Sequence, residues 1–194
     1  RPSPDGVEVA ELAKHAPVAV LAEQDGYIQI GPGQWLAARD ARIARTTPLP
    51  PGVRPDERWL DVDLAQQVLV AYEGTTPVYA TLVSTANRKH ITPAGIYRLG
   101  DKYVKRRMRS AEGAPEVFDV PDVPYVMSYR KLYAVHGAYW HDGFGRQRSH
   151  GCVNLSPIDA HRVFMWTEPA IPAGWHALNA GEEFGEGTVV IVHE

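Results

Sequence analysis

Cys152 is the only cysteine of the chain, in the polar, turn-prone stretch Ser149-His-Gly-Cys-Val-Asn154. A thiol attacks a carbonyl as the thiolate, and a neighbouring imidazole can take its proton. Two imidazoles are candidates. His150 stands two residues before Cys152 and shares its face if the stretch is extended. His136 ends the apolar run Tyr133-Ala-Val-His136, and the intervening loop is long enough to return one strand end beside another. Glycines at 137, 143, 145 and 151 allow tight turns and the close backbone approach that oxyanion stabilisation needs.

The same residues admit other chemistry. A lone cysteine is most often a small buried hydrophobe, but its polar, glycine-rich neighbours argue against that here. His136, His141, Asp142, His150 and Cys152 together hold enough donors for zinc, although their spacings are not those of zinc motifs, and no metal is expected. Arg146 and Arg148 lie inside the same loop, either facing an anionic ligand or as a solvated surface. The run Asp101–Ser110 holds five cations and one acid. It reads either as a guide for an anionic polymer or as the solvated face of a hairpin. His161 falls in a predicted helix, and His90, His176 and His193 carry no signal.

The elements that must hold these residues are mostly strands. The chain has 194 residues, 44% hydrophobic and 22% charged, enough for one large domain or a medium one with a small one. Its net charge of −3 gives no basic footprint for nucleic acid, and no apolar run approaches a membrane span. One cysteine excludes an intrachain disulfide. The chain starts at Arg1, with no apolar leader stretch after it. Strands are predicted at 18–22, 26–30 and 34–38 around the turns Asp25-Gly26 and Gly31-Pro32-Gly33. They suggest a small β-barrel or meander over residues 1–53. Thr46–Pro55, with four prolines, reads as a stiff linker. An antiparallel meander follows over 58–64, 67–72 and 78–84, then a strand near 91–97 and a closing strand at 188–193. Ser156-Pro-Ile-Asp159 is a capping box with proline at the first helical position, and Thr167-Glu-Pro169 stops that helix. The fold class is mainly β with one or two short helices.

His136 followed by Ser149-His-Gly-Cys-Val-Asn154 resembles the signature of the L,D-transpeptidase catalytic domain. Trp59–Leu69, Val83-Ser84-Thr85, Thr92-Pro-Ala-Gly95 and Val123–Met127 resemble that family in the same order. The likeness covers about residues 56–194, within a catalytic domain placed at 54–194. Residues 1–53, with Gly26-Tyr-Ile-Gln and Gly33-Gln-Trp, resemble a bacterial Src-homology-3-like domain.

The resemblance implies a β-sandwich and a two-step acyl transfer on peptidoglycan stem peptides. Cys152 would attack the donor diaminopimelate carbonyl, D-alanine would leave, and an acceptor amine would take the acyl group from the thioester. His136 would be the base, oriented by the carbonyl of Gly137, where some members carry serine. His150 would line the site, and the amides around Gly151 and Cys152 would receive the oxyanion. Tyr125 and Met127 would border the donor pocket, Arg146, Arg148 and Ser149 would face the substrate, and Asn154 would hold the motif loop. No cofactor is implied. The location would be extracytoplasmic, where the substrate is, with a role in cell-wall building and cell shape. Water as acceptor would instead make an L,D-carboxypeptidase or hydrolase, and a dead site would make a wall-binding module. A papain-like protease has cysteine before histidine, the reverse of the order here.

Overall fold

The computed structural model describes residues 2, 5–110, 112–113, 116–179 and 187–194. They fall into two compact units, 1–43 and 44–194. The first unit carries β1 (Ala22–Gln24), β2 (Tyr27–Gly31) and β3 (Gln34–Ala37), an antiparallel sheet closed off by a 3-10 turn at Ala38–Asp40. Residues 18–21, expected as strand, are extended but unpaired apart from one bond, Leu21 N–H to Gln29 O. Among the described residues no barrel closes, because nothing pairs with the outer edges of β1 and β3.

The second unit is built from two five-stranded sheets and one helix. The first sheet contains β4 (Arg58–Asp63), β5 (Val68–Glu73), β6 (Thr76–Leu82), β7 (Gly95–Arg98) and β13 (Val189–His193), ordered β6-β5-β4-β13-β7. The expected meander is there, with Leu60 opposite Ala71 and Val70 opposite Ala80. The second sheet contains β8 (Lys102–Arg109), β9 (Asp119–Arg130), β10 (Tyr133–Gly137), β11 (Val153–Leu155) and β12 (Ala177–Leu178), ordered β11-β10-β9-β8-β12. Helix α1 (Pro157–Trp166) follows β11 directly. Its N-cap is Ser156, whose Oγ accepts from Asp159 N–H at 3.2 Å. The Asp159 carboxylate in turn accepts from Tyr79 and Thr81 hydroxyls at 2.5 and 2.8 Å, tying the helix start to β6. No helix of the described residues is long and apolar enough to cross a membrane.

One apolar core joins all three layers. Leu60, Val62, Leu69 and Val190 of the first sheet meet Val135, Val153 and Leu155 of the second and Val163 and Phe164 of α1. The proline-rich segment is not a free spacer. Thr47 donates its N–H to Tyr72 Oη and its hydroxyl to Asp61, at 2.8 and 2.7 Å, and Leu49 and Val53 pack against Trp59 and Tyr72.

Lys102 departs from the reading of its charge run. It is 0% exposed, with Nζ donating to Phe164 O, Thr167 O and Thr167 Oγ1 at 2.7, 2.8 and 3.2 Å. It therefore satisfies carbonyls that the C-terminal turn of α1 leaves open. Burial pushes its pKa down to about 8, against the charge of Glu168. The other cations of the run are exposed, and two of them pair across to β9: Lys105 with Asp122, and Arg107 with both Asp119 oxygens.

Candidate active site

Strands β10 and β11 run parallel, with Val135 opposite Val153 and His136 opposite Asn154. One step back, that register sets Cys152 beside Ala134, and the two side chains pack together with Val123 and Val126. Alternation along β10 then puts His136 on the Ala134 side. Gly137 faces the opposite way, because a Cβ on it would meet Ala160 of α1 at 3.2 Å and Pro124 Cγ at 2.9 Å. Cys152 and His136 thus share one face of two adjoining strand ends.

His136 is 4% exposed, and its Nδ1 lies 3.0 Å from Gly137 O. Nδ1 carries the proton in that bond, leaving Nε2 with a free lone pair. Burial lowers the His136 pKa to about 4, only partly offset by the Gly137 carbonyl. The Cys152 thiol is half-buried, and burial raises its pKa to about 11, with the Ala134 backbone acting against this. At neutral pH the resting pair is thiol and imidazole, both uncharged. The thiol donates to Leu132 O, 3.9 Å away.

The turn bearing Cys152 is fixed from several sides. Ser149 Oγ accepts from Gly151 N–H at 3.0 Å and donates to Cys152 O at 2.6 Å. Thr92 Oγ1 donates to Gly151 O at 2.9 Å. Gly151 has φ +138°, and a Cβ there would strike the Tyr133 ring at 2.8 Å, so only glycine fits. The chain after β6 zips along this turn: Thr85 O accepts from the N–H groups of Arg148 and Ser149, and Ser84 pairs with Asn154 through both backbone groups. These contacts give structural content to the 83–85 and 92–95 motifs. Since Gly151 N–H already bonds Ser149, an oxyanion there would compete with that hydroxyl.

Asn154 is 3% exposed, with its side-chain amide 3.2 Å from His141 Nε2. Gly143 N–H donates to His141 Nδ1 at 3.2 Å, so Nε2 carries the ring proton; the Asn154 atom facing it is Nδ2, and a flip of the amide would present the otherwise unpartnered oxygen as its acceptor. Arg146 and Arg148 are exposed. The Arg146 carbonyl accepts from the Ser84 hydroxyl, and the Arg148 side chain lies over Gly143.

Three expectations fit poorly. Met127 is 0% exposed in the main core, its sulfur accepting from Thr167 Oγ1 at 3.4 Å, so it borders no pocket. Tyr125, at φ +55°, packs on His161 and Phe164 of α1, with the core opposite the Cys152 face. His150 is exposed and turned to Glu116, Nε2 to Oε2 at 3.1 Å. Sequence reasoning passed over Tyr139 and Trp140, which are 52% and 42% exposed. Trp140 lies 5.9 Å from the His136 ring. Exposed aromatics directly after the histidine strand were the available signal.

A family model for the L,D-transpeptidase catalytic domain (YkuD) matches residues 57–192. None of the curated proteins compared matches the chain. Among solved structures, an L,D-transpeptidase from Mycobacterium smegmatis is 20% identical with a TM-score of 0.56, covering 71% of this chain and 59% of that one. A cysteine-to-serine mutant of the Enterococcus faecium L,D-transpeptidase is 20% identical at TM-score 0.57, covering 73% of this chain and 50% of that one. The catalytic domain of the E. faecium enzyme is 20% identical at TM-score 0.55, covering 71% of this chain and 98% of that domain. The chain spans little more than half of the first two.

Proposed function

The chain belongs to the L,D-transpeptidase catalytic domain family, and from that premise we propose that it is a cysteine acyltransferase acting on peptidoglycan stem peptides. The observation that carries this reading is the parallel pairing of β10 with β11, which gathers Cys152 and His136 on one face while Gly137 O occupies the imidazole's other nitrogen.

Cys152 Sγ attacks the carbonyl of the diaminopimelate residue in a donor tetrapeptide. His136 Nε2 takes the thiol proton as the S–C bond forms and gives it to the nitrogen of the departing D-alanine. The resulting thioester is attacked by the side-chain amine of a second stem, whose surplus proton returns through His136 to the sulfur. Because the resting groups are both neutral, proton transfer accompanies bond formation instead of preceding it. The thiol first turns from Leu132 O towards His136. The Cys152 N–H supports the oxyanion, with that of Gly151 shared with Ser149. Asn154 and His141 brace the motif loop, and Arg146 and Arg148 form a polar rim for stem carboxylates. The chemistry needs no cofactor. Residues 1–53 are read as a Src-homology-3-like brace or substrate guide beside a catalytic domain at 54–194. The site of action is extracytoplasmic, where stem peptides are.

Incubation with a disaccharide–tetrapeptide, followed by mass spectrometry, tests this beside Cys152→Ala. A dimer linked between two diaminopimelates, absent with the variant, is the expected product. Tripeptide without dimer would reassign the acceptor to water. No turnover and no covalent adduct in folded, reduced protein would refute the enzymatic reading for this substrate and favour a wall-binding module.

A further inference from the structure

His90, Glu116 and His150 converge at the protein surface. The Nε2 atoms of both imidazoles point at the same carboxylate oxygen, Glu116 Oε2, at 3.2 and 3.1 Å. The three ligand-type atoms lie within 4.8 Å of one another. We propose that His90, Glu116 and His150 form a binding site for a divalent zinc-like cation.

The geometry fits that ion. Four-coordinate zinc, with bonds of about 2.0–2.1 Å, separates neighbouring donor atoms by about 3.3 Å. The two observed separations from Oε2 fall just under this and the third pair lies within 4.8 Å, so an ion needs a small retreat of the carboxylate and an inward turn of the two imidazoles. Two imidazoles with one carboxylate is a donor set for zinc and its first-row neighbours. Calcium and magnesium select oxygen cages and are disfavoured. Three protein donors leave the fourth position of such an ion to water. A cleft of about 410 Å³, lined by Glu116 with Asn87, Arg88, Lys89 and Gln147, adjoins the carboxylate.

The two histidines sit on anchored backbone. His90 N–H donates to Asn87 O at 3.0 Å in a closed turn. His150 lies inside the turn that Ser149 pins. Near Glu116, Phe118 and Ser110 exchange hydrogen bonds, with Ser110 N–H donating to Phe118 O at 3.0 Å. The His150 ring also packs against His90 and Phe118, centroids at 4.6 and 5.3 Å, which limits its rotation. Lys89 is the competing cation, 3.7 Å from the other Glu116 oxygen, and its 79% exposure lets it yield to a divalent ion at little cost. Bound metal would cross-link three chain segments within two residues of Cys152.

Calorimetric titration of the chain with zinc chloride, under reducing conditions, tests the site. One zinc per chain is expected, retained in Cys152→Ala. His90→Ala and Glu116→Gln are expected to weaken binding by more than the roughly 10- to 100-fold that loss of an outer-shell partner costs. Thermal melts without metal check that both variants fold. Cobalt(II) reports the donors directly: visible d–d bands without a thiolate charge-transfer band are expected. No uptake, uptake unchanged in both variants, or uptake lost in Cys152→Ala would overturn the proposal, the last by moving the metal to the thiol. None of these readouts depends on acyl transfer.

Discussion

Alkylation of Cys152 by iodoacetamide, followed by intact mass from about pH 6 to about pH 10, reads the protonation of the resting thiol. With a pKa near 11, the thiolate fraction at pH 7 is about 10⁻⁴, against about 3% for an unperturbed cysteine near 8.5, a deficit of about 300-fold. A more basic thiolate is intrinsically more nucleophilic, and a Brønsted slope of about 0.45 over 2.5 units returns about 13-fold. The thiol should therefore react about 20- to 30-fold more slowly than a free cysteine at pH 7. Its rate should climb about tenfold per pH unit throughout the range. His136→Ala should leave alkylation nearly unchanged, since His136, with its pKa near 4, takes the proton only when a substrate carbonyl is attacked. A rate plateau below about pH 8 that vanishes in His136→Ala would refute this, because it would mean a preformed thiolate–imidazolium pair.

Gly137→Ser should lower the melting temperature and reduce turnover with Cys152 still alkylatable. The new Cβ meets Pro124 Cγ at 2.9 Å, an overpacking worth about 1–3 kcal/mol, and displaces the carbonyl that holds His136; unchanged activity would show that carbonyl to be dispensable. Lys102→Met should cost about 1–3 kcal/mol in urea unfolding, because the Thr167 carbonyl loses its donor and the Phe164 carbonyl keeps only the Thr167 hydroxyl at 3.4 Å; a neutral or stabilised variant would mean the apolar replacement offsets this. His193 has its pKa raised: burial lowers it, but the Glu194 carbonyl and Asp61, 2.9 Å away, outweigh that. Its contribution is complete below the unfolded value of about 6.5 and fades as pH rises through the higher folded value, by less than about 1 kcal/mol for a part-exposed pair. The stability gap between wild type and His193→Gln should therefore narrow from pH 5.5 to 8.5, and parallel curves would contradict it.

What the sequence made legible was local. The helix start was written in Ser156, Pro157 and Asp159, the meander in the alternation of 58–64 and 67–72, and the thiol with its upstream imidazole in one short motif. What escaped it depends on partners far along the chain. Nothing near Lys102 announces that its acceptors, Phe164 and Thr167, sit more than sixty residues on. Met127 read as a pocket residue because its neighbours match a motif, yet its position on β9 turns it into the core. His90 carried no signal, since the groups that give it meaning, Glu116 and His150, lie in two other loops. Residues 18–21 are apolar enough for a strand but share with β2 only the bond from Leu21 N–H to Gln29 O, so propensity alone did not make one.

Strand β13 lies between β4 and β7, parallel to the first and antiparallel to the second. In the order β6-β5-β4-β13-β7, it is the only strand through which β7 joins its sheet. Residues 189–193 therefore form an interior stave of a sheet begun at residue 58, and Val190 and Val192 belong to the main core. During synthesis that stave emerges after every strand it must join. The catalytic unit must remain open on the ribosome until its final strand has cleared the exit tunnel. Such late closure carries a hazard, because β4 shows an unpaired edge to other nascent chains from its own emergence until residues 189–193 follow.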